Sequence, residues 1–318
     1  MKKNELHPEA LKIINEIQVA EKNGKRLPLY KLNPKEARKA YLDARASLSP
    51  PAPDIQKVLN LKIPVGNKFI KARYYRGFES KNKILPIIIF FHGGGWVIGD
   101  LDTHDVICRQ LVNKGDFDII SIDYSLAPEN KFPNAIKESI KAIDFIAKNP
   151  LSLPYDTSKI VLCGDSAGGN IATVCSINAK IKKTPIISLQ VLIYPAVHIG
   201  SKYPSKQKYD GIILSGKLMN WFESKYLQNK DLKDWRASPI LYENLKNCPP
   251  ALIILAGCDP LRDEGEAYSK ALKDAGNKVE LVEFKGQIHG FLTMGARISD
   301  TAKLIDLVAK KVNSCFKK

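Results

Sequence analysis

No stretch of this 318-residue chain is long and apolar enough to cross a bilayer. The longest apolar runs, such as Ile87 to Phe91 and Ala251 to Ala256, fall far short of the roughly 20 residues that a spanning helix needs. Met1 to Asn23 has Lys2 and Lys3 but no uninterrupted apolar stretch, because Asn15, Glu16 and Gln18 break it, so secretion is not expected. CxxC pairs are absent as well. The six cysteines, at 108, 163, 175, 248, 258 and 315, are scattered, which favours buried free thiols in a reducing compartment over disulfides or a metal site, with cytoplasm as the expected location.

Acidic residues are comparatively scarce: 33 Asp and Glu face 49 Lys and Arg, a formal charge of +16. No long basic block and no interleaved aromatic pattern accompanies that excess, so the lysines read as a dispersed, solvated surface and nucleic acid is not an expected partner. Attraction of acidic substrates and weak adsorption to anionic lipid remain as minor readings of the charge. Internal repeats and low-complexity tracts are missing too. A composition of 44% hydrophobic and 26% charged residues is ordinary for a globular protein with one large core.

The periodicity of what remains is informative. Helical patterns at 8–24 and 34–46, closed by Pro50, Pro51 and Pro53, suggest a helical appendage over residues 1–50. Strand patterns follow at 55–63, 68–75, 84–91, 117–124, 159–163, 187–194, 251–256 and 279–284. Helical patterns at 134–148, 169–182 and 262–275 separate most of the later ones. Strands alternating with helices predict an α/β fold: a mostly parallel eight-stranded sheet flanked by helices, its first two strands antiparallel, over residues 51–318. Residues 198–236 break the alternation and are too long for a plain connection, so they and the N-terminal helices are expected to form a helical cap.

The segment Gly164-Asp165-Ser166-Ala167-Gly168 lies between an apolar strand pattern and a helical one. That is the context in which a serine is held on a strained strand-to-helix turn with its hydroxyl projecting, and in which flanking glycines avoid collisions. A serine hydroxyl needs a base. Only five histidines exist; in the chain order serine, acid, histidine, His7, His92 and His104 come too early, and His198 leaves no room for an acid-bearing strand before it. His289 remains. Asp259, just past the 251–256 strand, is the best-placed acid, since Asp263, Glu264 and Glu266 fall within the following helical pattern.

His92-Gly93-Gly94-Gly95 follows the 84–91 strand. Three glycines in a row are entropically costly unless the backbone takes unusual dihedrals or approaches a ligand closely. An oxyanion hole built from the N–H groups of Gly94, Gly95 and Ala167 satisfies both needs, and neither phosphate-loop pattern is present to support the rival reading. His92 reads as structural. Asp165 reads as a residue that fixes the turn by hydrogen bonding, with a solvent-exposed aspartate as the alternative. Trp96, Trp221 and Phe222 are candidate pocket residues, with ordinary core packing as the competing role.

These motifs, namely His92-Gly93-Gly94-Gly95-Trp96 with Gly99-Asp100 after it, Gly164-Asp165-Ser166-Ala167-Gly168-Gly169, Asp259-Pro260-Leu261-Arg262-Asp263-Glu264 and His289-Gly290-Phe291, resemble those of the hormone-sensitive-lipase family of α/β-hydrolases. The resemblance spans about Val65 to Phe291. It implies a Ser166, Asp259, His289 triad, an oxyanion hole at Gly94, Gly95 and Ala167, and a helical cap. Where family members usually carry an arginine, this chain has Ser125, so any charge pairing made there must be absent or replaced. The expected function is hydrolysis of short- to medium-chain carboxylic esters, a small-molecule substrate class, through a serine acyl-enzyme without cofactor or metal. An amidase or deacetylase on the same triad and a non-catalytic binder are the alternatives. A homodimer is left open.

Overall fold

A computed structural model describes residues 5–80 and 83–317. Two helices lead the chain. Helix α1, Pro8–Lys22, starts where His7 accepts a hydrogen bond from the Glu9 amide, and α2, Pro34–Leu48, starts in a capping box formed by Asn33 and Glu36. A proline opens each, where its missing N–H costs nothing. Strands β1, Lys57–Pro64, and β2, Phe69–Arg76, form a hairpin, followed by β3, Leu85–Phe91. Then come α3, Asp105–Lys114; β4, Asp118–Asp123; α4, Asn134–Ile146; β5, Tyr155–Asp165; and α5, Ala167–Lys182. The remainder is β6, Ile187–Ile193; α6, Pro204–Lys208; α7, Gly216–Tyr226; β7, Ala251–Cys258; α8, Arg262–Asp274; β8, Val279–Ile288; and α9, Asp300–Phe316.

The strands form one sheet in the order β1-β2-β4-β3-β5-β6-β7-β8. The pairs β1–β2 and β2–β4 are antiparallel and every later pair is parallel. All residues of β3 and β7 are buried, as expected for strands covered on both faces. The two faces support separate apolar clusters: Ile87, Ile89 and Phe91 point into one with α4 and α5, while Ile88 and Phe90 point into the other with α3 and α9. Because β5, β7 and β8 are parallel, their carboxyl ends lie along one edge. Three candidate residues sit just beyond those ends.

Two helices were not expected. The pattern of α9 is amphipathic, with Leu304, Ile305, Val308, Ala309 and Val312 buried, and α3 packs against it through Ile107, Cys108, Leu111 and Val112. All six cysteines are free thiols; five are buried, whereas Cys315 is exposed on the last turn of α9, contrary to a uniform expectation of burial.

Beside Ser125, where the family arginine is missing, a lysine pairs with a buried carboxylate. Lys68, entering β2, places Nζ 2.5 Å from Glu138 Oε1 and 3.2 Å from Ser125 Oγ, while the Ser125 amide donates to Glu138 Oε2 at 2.9 Å. Glu138 is buried and Lys68 half-exposed, so the pair is worth more than a surface ion pair but is still partly screened. Lys68→Ala is expected to cost about 1–2 kcal/mol in chemical denaturation, and adding Ser125→Arg should recover part of that loss.

Candidate active site

From Ile160 the strand β5 runs buried to Asp165, and the chain then reverses so tightly that Ser166 takes φ 54°, ψ −116° before α5 begins at Ala167. A non-glycine residue in this region is strained and persists only where its surroundings hold it. The Ser166 amide donates to Ile193 O at 2.9 Å, and its carbonyl accepts from Asn170 at 3.0 Å and Ala196 at 3.2 Å. Glycine flanks the turn because nothing larger fits. A Cβ on Gly168 would lie 1.9 Å from the Phe91 carbonyl oxygen, and one on Gly164 would lie 2.4 Å from the Gly168 backbone.

The structure brings Ser166, His289 and Asp259 together from the ends of β5, β8 and β7. Ser166 Oγ is 2.9 Å from His289 Nε2, and His289 Nδ1 is 2.7 Å from Asp259 Oδ2. Asp259 is fully buried, and its other oxygen accepts from the Leu261 amide at 2.8 Å. With Nδ1–H donating to the carboxylate, Nε2 is free to accept from the serine hydroxyl. Burial alone would push the His289 imidazole down, but the charge and hydrogen bond of Asp259 outweigh it and hold the ring above its ordinary value.

Facing Ser166 is the loop after β3. Gly94 and Gly95 have φ of 123° and 57°, and a Cβ on them would lie 2.1 Å from Ile98 O and 2.3 Å from Phe222 Cγ respectively. Among the described residues, the N–H groups of Gly94, Gly95 and Ala167 donate to no backbone acceptor, which leaves them available at the serine. Asp165 is buried rather than solvent-exposed and ties this loop to the turn, accepting from the Gly93 amide at 2.8 Å. A Cβ on Gly93 would lie 2.3 Å from the Asp165 carboxylate. Although burial pushes the Asp165 carboxyl up, His104, whose Nε2 is 3.2 Å away, and the Gly93 amide hold it below its usual range. His92 is buried with its ring stacked on Tyr124 at 4.3 Å, and burial pushes its pKa down to about 4, so it is a neutral structural ring.

Ser166 opens into a cavity of about 330 Å³. Its walls come from α1 and α2 (Ile17, Tyr41, Arg45), from the segment through α7 (Ile213, Leu218, Met219) and from the serine and glycine loops. Trp96 and Phe222 line it; Trp221 does not, being turned edge-on to Phe222 and packed against the core. Trp96 is in turn stacked on Tyr226 at 4.5 Å. Tyr41, Arg45, Lys206 and Thr293 were missed in the sequence, and so was the contact of His104 with Asp165; Glu264, weighed there only as a rival acid, lines the cavity instead. Nothing local marks Tyr41 and Arg45: the N-terminal helices reach the site only through tertiary packing.

A family model of the α/β-hydrolase fold matches residues 88–293. Similar curated proteins include a carboxylic ester hydrolase of Mycobacterium tuberculosis, 39% identical over 80% of this chain and 71% of that protein, and an ethyl acetate hydrolase of Pseudomonas putida, 31% identical over 96% and 98%. Among solved structures, an ester hydrolase from the metagenome of Lake Arreo, Spain, superposes with a TM-score of 0.94 at 35% identity, covering 98% of this chain and 99% of its own. An esterase from Pyrobaculum calidifontis gives 0.88 at 36%, covering 97% and 98%. The chain belongs to the α/β-hydrolase family, within its hormone-sensitive-lipase-like esterases. Its activity class is that of a serine carboxylic ester hydrolase.

The crowding at the turn generates a direct test. Gly168→Ala is expected to lose about 3 kcal/mol of stability or more in chemical denaturation, because its methyl cannot coexist with the Phe91 carbonyl.

Proposed function

We propose that Ser166 is the nucleophile, His289 the general base and Asp259 the orienting acid of ester hydrolysis, with Gly94, Gly95 and Ala167 as the oxyanion hole. The observation that carries this reading is the continuous hydrogen-bond chain from Ser166 through His289 to Asp259, on a strained turn facing open N–H groups. Ser166 Oγ attacks the ester carbonyl while His289 Nε2 takes its proton; the carbonyl oxygen gains charge beside the three amides. His289 then gives that proton to the departing alkoxide. Water loses a proton to the same nitrogen, attacks the acyl-enzyme and releases the carboxylic acid, returning the hydrogen to Ser166.

Short- to medium-chain acyl groups suit a cavity of about 330 Å³, which Phe222 narrows beside Gly95, and a relative bearing the name ethyl acetate hydrolase points the same way. The described part of residues 1–50 and the segment 198–236 together serve as the cap, a reading supported by their shared contribution to the cavity walls above the catalytic domain of 51–318. Five buried free thiols are in keeping with a cytoplasmic enzyme.

Ser166→Ala is expected to lower p-nitrophenyl ester turnover about 10⁴-fold or more with an unchanged thermal midpoint. Near-normal activity in that variant would refute the assignment. Activity requires a neutral His289, so kcat/KM should rise with pH through the imidazole pKa, with its acid limb above the ordinary histidine value of 6.5. Asp259→Asn removes the carboxylate that raises that pKa, and should move the limb to lower pH while cutting kcat by about 10³–10⁴.

A further inference from the structure

The arginines divide cleanly by location. Seven of the nine pair with a carboxylate: Arg38 with Glu129, Arg73 with Asp102 and Asp105, Arg76 with Asp118, Arg109 with Asp105, Arg236 with Asp234, Arg262 with Asp263, and Arg297 with Glu16. The other two, Arg26 and Arg45, have no carboxylate within 4 Å among the described residues, and both line the cavity that contains Ser166. Both also belong to the wall supplied by the N-terminal segment.

Arg45 is held in place but not neutralised. One Nη donates to the Thr293 carbonyl at 3.2 Å and to the Thr293 hydroxyl, the guanidinium lies 4.5 Å over the Tyr41 ring, and Nε is buried without a partner. Thr293 lies four residues beyond His289, so this cation is fixed to the loop that carries the base. The carboxylates lining the same cavity do not offset it. Asp165 is engaged by His104 and Gly93, Glu264 by Lys206 at 2.8 Å, and neither Glu21 nor Glu223 comes within ion-pair distance of either arginine. A guanidinium taken partly out of water without a counter-ion is costly, and its planar fork is matched to a carboxylate. The overall charge of +16 draws anions toward the molecule as well.

We infer that Arg45, assisted by Arg26, recognises an anionic group on the substrate, so that the preferred esters carry a carboxylate remote from the scissile bond. This rests on the hydrolase reading above and adds the substrate class to it. The carboxylate sits in the acyl part, as in a half-ester of a dicarboxylic acid, or in the alcohol part, as in an acylated hydroxy acid; the recognising chemistry is the same.

The test compares kcat/KM for monoethyl succinate and monoethyl adipate with chain-matched neutral ethyl alkanoates, and for acetyl esters of ω-hydroxy acids with matched alkyl acetates. A charge-assisted contact of roughly 1.5–3 kcal/mol corresponds to an advantage of about tenfold or more for the anionic ester in one of the two arms. That advantage should shrink as sodium chloride is raised and fall toward parity in Arg45→Met. Wild-type preference for the neutral ester in both arms, or an advantage that survives unchanged in both Arg45→Met and Arg26→Met, overturns the inference. The wild-type ratios and their salt dependence decide the matter even if a variant folds poorly. Turnover of neutral esters without any anionic preference defeats this inference alone, whereas absence of turnover on every ester defeats the hydrolase reading itself.

Discussion

The close approach of two strand ends governs the rest of this molecule. Where β3 and β5 finish side by side, Gly93, Gly164 and Gly168 have no room for side chains: a Cβ at Gly93 would lie 2.3 Å from the Asp165 carboxylate, one at Gly164 2.4 Å from the Gly168 backbone, and one at Gly168 1.9 Å from the Phe91 carbonyl oxygen. That crowding forces the reversal at Ser166 into a positive φ and projects its hydroxyl from the sheet. Gly94 and Gly95 line the same cavity as the serine. Strain at one residue is thereby held by a well-packed parallel sheet, whose buried β3, β6 and β7 supply the stability that the turn consumes.

Two histidine–carboxylate pairs flank this joint and show how environment separates roles. Asp259 and His289 meet at the cavity, with the imidazole partly open and Nε2 facing the serine hydroxyl. Asp165 and His104 are sealed on the inner side of the joint, both almost fully buried and 3.2 Å apart, with the carboxylate accepting from the Gly93 amide. In the first pair the carboxylate raises the basicity of the imidazole that the proposed mechanism uses as its base. The second pins one loop to another, so its value lies in not moving.

Much of this was legible locally. The eight strands are present where alternating and apolar runs placed them, because burial on both faces of a parallel sheet leaves an unmistakable apolar signature in segments such as Ile87 to Phe91. Their ends were less legible: β5 begins at Tyr155 rather than 159 and β8 continues to Ile288 rather than 284, since pairing with neighbouring strands extends both past the residues whose own pattern is strand-like. The glycine loop, Asp259 and His289 could be found because chain order and strand context leave few candidates. The cavity walls could not. Arg45 and Tyr41 face Ser166 only because α2 is brought across more than a hundred residues of sequence, and Trp221 and Phe222, adjacent in the chain, take opposite roles according to which side of α7 meets the glycine loop. The pairing of Lys68 with Glu138 beside Ser125 is likewise visible only in three dimensions.

The most direct measurement of the central claim is covalent capture of the serine. A p-nitrophenyl alkylphosphonate, which serine attacks as it attacks an ester carbonyl, should leave a single phosphonyl adduct that peptide mapping by mass spectrometry places on Ser166, with a labelling rate that rises with pH as His289 loses its proton. An adduct at another residue, or labelling that proceeds undiminished in Ser166→Ala, would contradict the account.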